Sequence, residues 1–178
     1  MYFKHYIFPN INYEEAYPEV NSMDVKHLQH SDDDIFRIPE NLENALNLIQ
    51  EAVAGESEDR AFYTYLAENA PDEEAREIIN SIRDNEIDHF NLFRRLYFDI
   101  TGEMLPAAVT QEFAPPENFC DGIKRALMGE QNAVQKYRQI LYAMQPRIHI
   151  NIMVEIITDE IRHGILYNYL YSKYNCNS

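Results

Sequence analysis

Two Glu-x-x-His pairs, Glu86-x-x-His89 and Glu160-x-x-His163, interrupt stretches whose apolar residues recur at helical spacing. On a helix, i and i+3 side chains stand about 4.5 Å apart along the axis and roughly 60° apart around it, so both can touch one metal ion. Glu56 precedes Glu86 by 30 residues, and Glu130 precedes Glu160 by the same 30. The chain therefore repeats a Glu-helix followed by a Glu-x-x-His-helix at an offset of 74 residues. Tyr63 and Tyr137 follow their glutamates by seven and repeat at the same offset. The pattern describes a pseudo-twofold binuclear metal site with Glu56, Glu86, His89, Glu130, Glu160 and His163 as ligands. Tyr63 and Tyr137 are candidate catalytic residues, placed to hydrogen-bond ligand carboxylates or else to serve as core aromatics.

Four inward glutamates without a counter-charge would protonate, because burying a carboxylate costs several kcal/mol per ion. Four carboxylates and two neutral imidazoles instead balance two divalent cations. Mixed oxygen and nitrogen donors suit iron or manganese better than calcium or a thiolate-seeking metal. The expectation is that Glu56 and Glu130 bridge two ions roughly 3.5 to 4 Å apart, while Glu86 with His89 and Glu160 with His163 each hold one. Glu51, Glu58 and Asp59 read as surface charges.

Helices must carry these residues. Leu42, Ala45, Leu46, Ile49, Ala52 and Val53 begin a first helix that passes through Glu56, Arg60 and Tyr63 and ends near Asn69. Pro71 and the acids Asp72, Glu73 and Glu74 open a second, since proline suits a first turn and acids there complement the helix dipole. Its apolar face (Ile78, Ile79, Ile82, Phe93, Leu96) passes through Glu86 and His89 to a stop at Thr101-Gly102. A stretch holding Pro106, Pro115 and Pro116 is too broken for a long helix but long enough to span a bundle. A third helix runs from about Phe119 to Met144 and, after Gln145-Pro146-Arg147, a fourth from about Ile148 to Lys173. Short, long and short connections give an all-α, ferritin-like four-helix bundle with a long crossover between helices 2 and 3. Residues 1–39, rich in Tyr, Asn and Pro, read as an irregular N-terminal arm, its His5, His27 and His30 as surface residues; residues 40–178 read as the bundle.

The whole composition is compatible with one domain. A chain of 178 residues buries roughly 70% of its unfolded surface, and 46% apolar residues exclude the low-hydrophobicity signature of disorder. A formal charge of −15 repels phosphate backbones and anionic lipid heads, which argues against nucleic-acid and membrane partners. Cys120 and Cys176 are too few for a disulfide framework and are not spaced as Cys-x-x-Cys, so a secreted scaffold and a cysteine-ligated zinc or iron site are excluded. A reducing, cytoplasmic setting fits that count, and neither an apolar leader segment nor a membrane span is read.

Gly55-Glu56-Ser57-x-x-Arg60-x-x-Tyr63-Thr64-Tyr65-x-Ala67, the two Glu-x-x-His pairs and Gly129-Glu130 resemble the rubrerythrin branch of the ferritin-like superfamily over about residues 42–172. The resemblance implies two iron ions per chain, with manganese as an option, and reduction of hydrogen peroxide or dioxygen. It also implies electrons from an external protein such as a rubredoxin, since no Cys-x-x-Cys pairs supply a fused rubredoxin domain. A homodimer or larger homo-oligomer is expected. Ferritin-like iron oxidation and storage, a di-manganese catalase, and a structural protein stapled by its metal remain as alternatives. Where the resembled family places a further glutamate three residues after the helix-three ligand, this chain has Ala133. The two halves of the site are therefore expected to be near-equivalent.

Overall fold

The computed structural model describes residues 41–106 and 113–176. Four helices follow in chain order: α1 (Leu42–Glu68), α2 (Glu73–Thr101), α3 (Phe119–Tyr142) and α4 (Arg147–Lys173). α1 packs along α2 and α3 along α4, and the two hairpins close a bundle by setting α1 against α3 and α2 against α4. The architecture is an all-α four-helix bundle. The proposed N-terminal arm lies outside the described residues, as do His5, His27 and His30.

Local chemistry sets the helix ends. The Asp72 carboxylate accepts the Ala75 amide at 2.9 Å and caps α2, so Pro71 stands just before the cap rather than in the first turn. Asn118 caps α3 the same way, accepting from the Asp121 amide at 2.9 Å. Gly102 closes α2 in the left-handed conformation at φ 76°, which a Cβ disfavours. Its amide returns to the Phe98 carbonyl.

A helix of 29 residues is about 43 Å long, and the crossover carries the chain back over that length. Arg94 donates to the Leu105 carbonyl at 3.0 Å near its start, and Arg125 to the Ala114 carbonyl at 2.9 Å near its end. The start of α3 meets the end of α1, where a Cβ on Gly122 would collide with the Leu66 side chain. Lys173 at the end of α4 reaches Asp72 at 2.9 Å and Glu74 at 2.8 Å, joining the two hairpins. No described helix is long and apolar enough to cross a membrane.

Cys120 at the start of α3 and Cys176 beyond α4 form a disulfide across a sequence separation of 56. This pairing is a correction to the reading of the cysteines from their number and spacing. The two come together because α3 and α4 are antiparallel, a fact of topology rather than of local sequence.

The core divides into two apolar clusters along the bundle. One holds Ile49, Val53, Phe93, Leu96, Tyr137, Ile140, Met153 and Ile156. The other holds Phe62, Tyr63, Leu66, Ile79, Ile82, Ile123, Tyr167 and Leu170. Between them, midway along each helix, lie the buried charged residues.

Candidate metal centre

Each helix brings its interrupting residues to the bundle axis. Glu56 comes from α1, Glu86 and His89 from α2, Glu130 from α3, and Glu160 and His163 from α4; all six are buried, with at most 2% of their surface exposed. Their donor atoms fall into two sets able to hold an ion, Glu56, Glu86, His89 and Glu160 in one, and Glu86, Glu130, Glu160 and His163 in the other. Gly164 permits the close approach of α4 to α3 beside Glu130, since a Cβ there would meet the Gln131 side chain.

The sets share Glu86 and Glu160, not Glu56 and Glu130. Glu86 sends Oε2 to His89 Nδ1 at 3.0 Å and Oε1 to His163 Nδ1 at 3.0 Å. Glu160 sends Oε1 to His89 Nδ1 at 3.1 Å and Oε2 to His163 Nδ1 at 3.6 Å. Glu86 and Glu160 are therefore the carboxylates common to both sets, and Glu56 and Glu130 belong to one set each. Helical spacing could place Glu86 beside His89 but could not show that its second oxygen reaches across to α4.

The tyrosines cross between the hairpins. Tyr63 donates its hydroxyl to Glu130 Oε1 at 2.7 Å, and Tyr137 donates to Glu56 Oε1 at 2.7 Å. Burial pushes both phenols well above their ordinary value, the nearby carboxylates adding to it, so each remains a protonated donor. Behind the imidazoles, His89 Nε2 faces Asp159 Oδ2 at 3.4 Å and His163 Nε2 faces Asn85 Oδ1 at 3.4 Å. With Nδ1 of each ring turned to the carboxylates, Nε2–H is the donor, and these partners fix the ring orientation.

The electrostatics are those of a cation site. Burial first, then the charges of Glu86 and other acids, raises the Glu56 and Glu160 carboxyls well above the usual range. Burial opposes the His163 imidazolium, but the carboxylates of Glu130, Glu160 and Glu86 facing its Nδ1 outweigh it and lift the group to about 11. His89 is raised as well, burial again being overcome by Glu86. Even so, Glu86 Oε1, Glu160 Oε1 and His163 Nδ1 are buried and, although each lies within ion-pair distance of a facing group, none has a partner in hydrogen-bond geometry. Three orphaned donor atoms converging from two helices fit a divalent ion better than they fit one another.

Glu51 and Glu58 behave as surface charges, pairing with Lys136 at 3.5 Å and Arg125 at 3.0 Å. Asp59 does not. It is half-buried, and burial, followed by the charges of Glu86 and Glu130, pushes its carboxyl up to about 8. The signal was present in the sequence, since Asp59 lies three residues beyond Glu56 on the same helix face. Arg60 is exposed, and Phe62 and Tyr63 continue the inward face instead.

A family model described as Rubrerythrin matches residues 47–171. The chain is 31% identical over 121 residues to the Uncharacterized protein YhjR of Bacillus subtilis (strain 168), covering 68% of this chain and 82% of that protein. Its fold is similar to that of a hypothetical protein from Pyrococcus furiosus, with a TM-score of 0.63, 23% identity, and coverage of 72% of this chain and 88% of the other.

Proposed function

Because the chain belongs to the rubrerythrin family, which implies a metal-binding, typically di-iron, centre, we propose that it is a di-iron oxidoreductase that reduces hydrogen peroxide, or more slowly dioxygen, with electrons from a separate protein. The observation that carries this reading is the pair of four-residue donor sets sharing Glu86 and Glu160. When bound, two ferrous ions supply one electron each, and hydrogen peroxide takes those two electrons and two protons to give two waters.

The residues have separable tasks. Glu86 and Glu160 would serve both metal positions; Glu56 with His89 and Glu130 with His163 would complete them. Tyr63 and Tyr137 keep one oxygen of each terminal carboxylate occupied by a hydrogen bond, which fixes the other toward the centre. The apolar clusters on either side exclude bulk water. A cleft of about 320 Å³, lined by Asn85, Asp88, His89, Glu155 and Asp159 among others, opens between α2 and α4 and reaches His89. Its acidic wall favours cation entry, and its size admits a small oxidant rather than an extended substrate.

The test is oxidation of ferrous protein in anaerobic stopped flow. Hydrogen peroxide should oxidise it much faster than air, and a rubredoxin-type donor should then support repeated turnover. Oxygen evolution from peroxide without a donor would overturn this in favour of a di-manganese catalase. Equal rates with air, together with a hollow cage by light scattering, would favour iron storage.

Metal uptake should also release protons. Glu56, Glu160, His89 and His163 all have raised values, so the metal-free site holds protons at neutral pH that an incoming cation must displace. Raising the pH weakens that competition, and apparent affinity should climb with pH and fall on acidification. Titration calorimetry in two buffers of different ionisation enthalpy checks this; identical heats and a pH-independent affinity would contradict it.

A further inference from the structure

The 74-residue offset that relates the two hairpins also relates Asn85 to Asp159 and Asp88 to Arg162. The six ligands and the two hydrogen-bonding tyrosines repeat at this offset, but these neighbours of the histidines do not. Behind His89 stands a carboxylate, with Asp159 Oδ2 3.4 Å from Nε2. Behind His163 stands an amide, with Asn85 Oδ1 3.4 Å from Nε2.

The two partners differ in what they guarantee. An ionised carboxylate accepts at both oxygens, so either oxygen of Asp159 keeps the proton on His89 Nε2 and leaves Nδ1 a lone pair. A side-chain amide has one end that accepts and one that donates. Turned over, Asn85 would offer N–H to His163 Nε2 and leave the neutral ring's one proton on Nδ1. Nδ1 is the atom that faces Glu86, Glu130 and Glu160. Protonated there, the ring has no lone pair for a cation.

Arg162 decides which end of the amide is presented. One of its guanidinium nitrogens donates to Asn85 Oδ1 at 2.8 Å and to Asp159 Oδ1 at 2.8 Å, and Nε adds a bond to the same Asp159 oxygen at 3.1 Å. A guanidinium carries donors only, so the Asn85 atom it meets must be the oxygen. A continuous line of contacts therefore runs from His89 through Asp159, Arg162 and Asn85 to His163, passing between α2 and α4. At the position equivalent to Arg162 in the other hairpin stands Asp88, which has no N–H to give. None is needed there, because Asp159 has no donating end to turn toward His89.

We propose that Arg162 is a positioning residue for the His163 half of the centre: by holding the Asn85 oxygen toward the ring it fixes the proton on Nε2 and keeps Nδ1 open to a divalent cation. The proposal rests on the di-metal reading above. The expected near-equivalence of the halves then holds for the six ligands and fails behind the histidines, where one metal position depends on an exposed side chain and the other does not.

The experiment is zinc(II) titration of metal-free wild type, Arg162→Met, and the Asn85→Asp, Arg162→Met double variant, with crystal structures of the zinc-loaded proteins assigning each ion to its position. Methionine is a good helix former and Arg162 is exposed, so the fold should be retained, as circular dichroism checks. Wild type should bind two ions. In Arg162→Met the affinity at the His163 position should fall about tenfold while the His89 position is unchanged. The double variant should recover the His163 position, because a carboxylate at residue 85 needs no donor to orient it. No loss in Arg162→Met, equal loss at both positions, or a double variant without a recovery specific to the His163 position would overturn the proposal and leave the di-metal reading intact. Wild type that never exceeds one ion per chain would overturn both.

Discussion

Replacing Glu86 or Glu160 by alanine should reduce metal content from two ions per chain to near zero, whereas replacing Glu56 or Glu130 should leave about one. The difference follows from geometry: each of the first two carboxylates offers one oxygen to the His89 side and the other to the His163 side, so its loss opens both positions. Glu56 and Glu130 each belong to one set only. Elemental analysis of protein loaded under identical conditions measures this directly. Because an ion bound only by the folded state stabilises it by mass action, the thermal midpoint in the presence of metal should fall further for Glu86→Ala than for Glu56→Ala. The reverse ranking, with one ion retained in Glu86→Ala and none in Glu56→Ala, would return the bridging place to Glu56.

Reduction of the Cys120–Cys176 disulfide should be the most damaging change available outside the metal centre. Chain-entropy arguments for a closed loop of this separation, 56 residues, give a loss of about 4 kcal/mol, with measured cases running from roughly 0 to 5. Urea unfolding of oxidised protein, reduced protein and a Cys120→Ala, Cys176→Ala double variant should give one high midpoint and two similar lower ones. Metal binding should survive, because Cys120 lies ten residues before Glu130, about 15 Å away along α3. Unchanged midpoints would show that Lys173 and the apolar contacts at that end already close the bundle without the cysteines.

Much of this protein was legible in its sequence because the relevant information is local. Apolar residues at helical spacing, the acids after Pro71, Gly102 and the proline-broken crossover marked four helices and their connections to within a few residues. The Glu-x-x-His pairs and the offsets of 30 and 74 residues placed six ligand-type side chains at one height and on inward faces. A helix has a fixed rise and turn, so spacing along the chain converts directly into position on a surface.

What the tertiary structure alone decided concerns distances between helices. Spacing along the chain made Glu56 and Glu130 the expected bridges; only the approach of α2 to α4 put Glu86 between the histidines and left Glu56 in one donor set. The same packing crossed Tyr63 and Tyr137 onto the opposite hairpin's glutamates and joined Cys120 to Cys176. Each of these depends on how far one helix is rotated and shifted against another. That relation is set by the summed packing of many core side chains, and no spacing within a single helix encodes it.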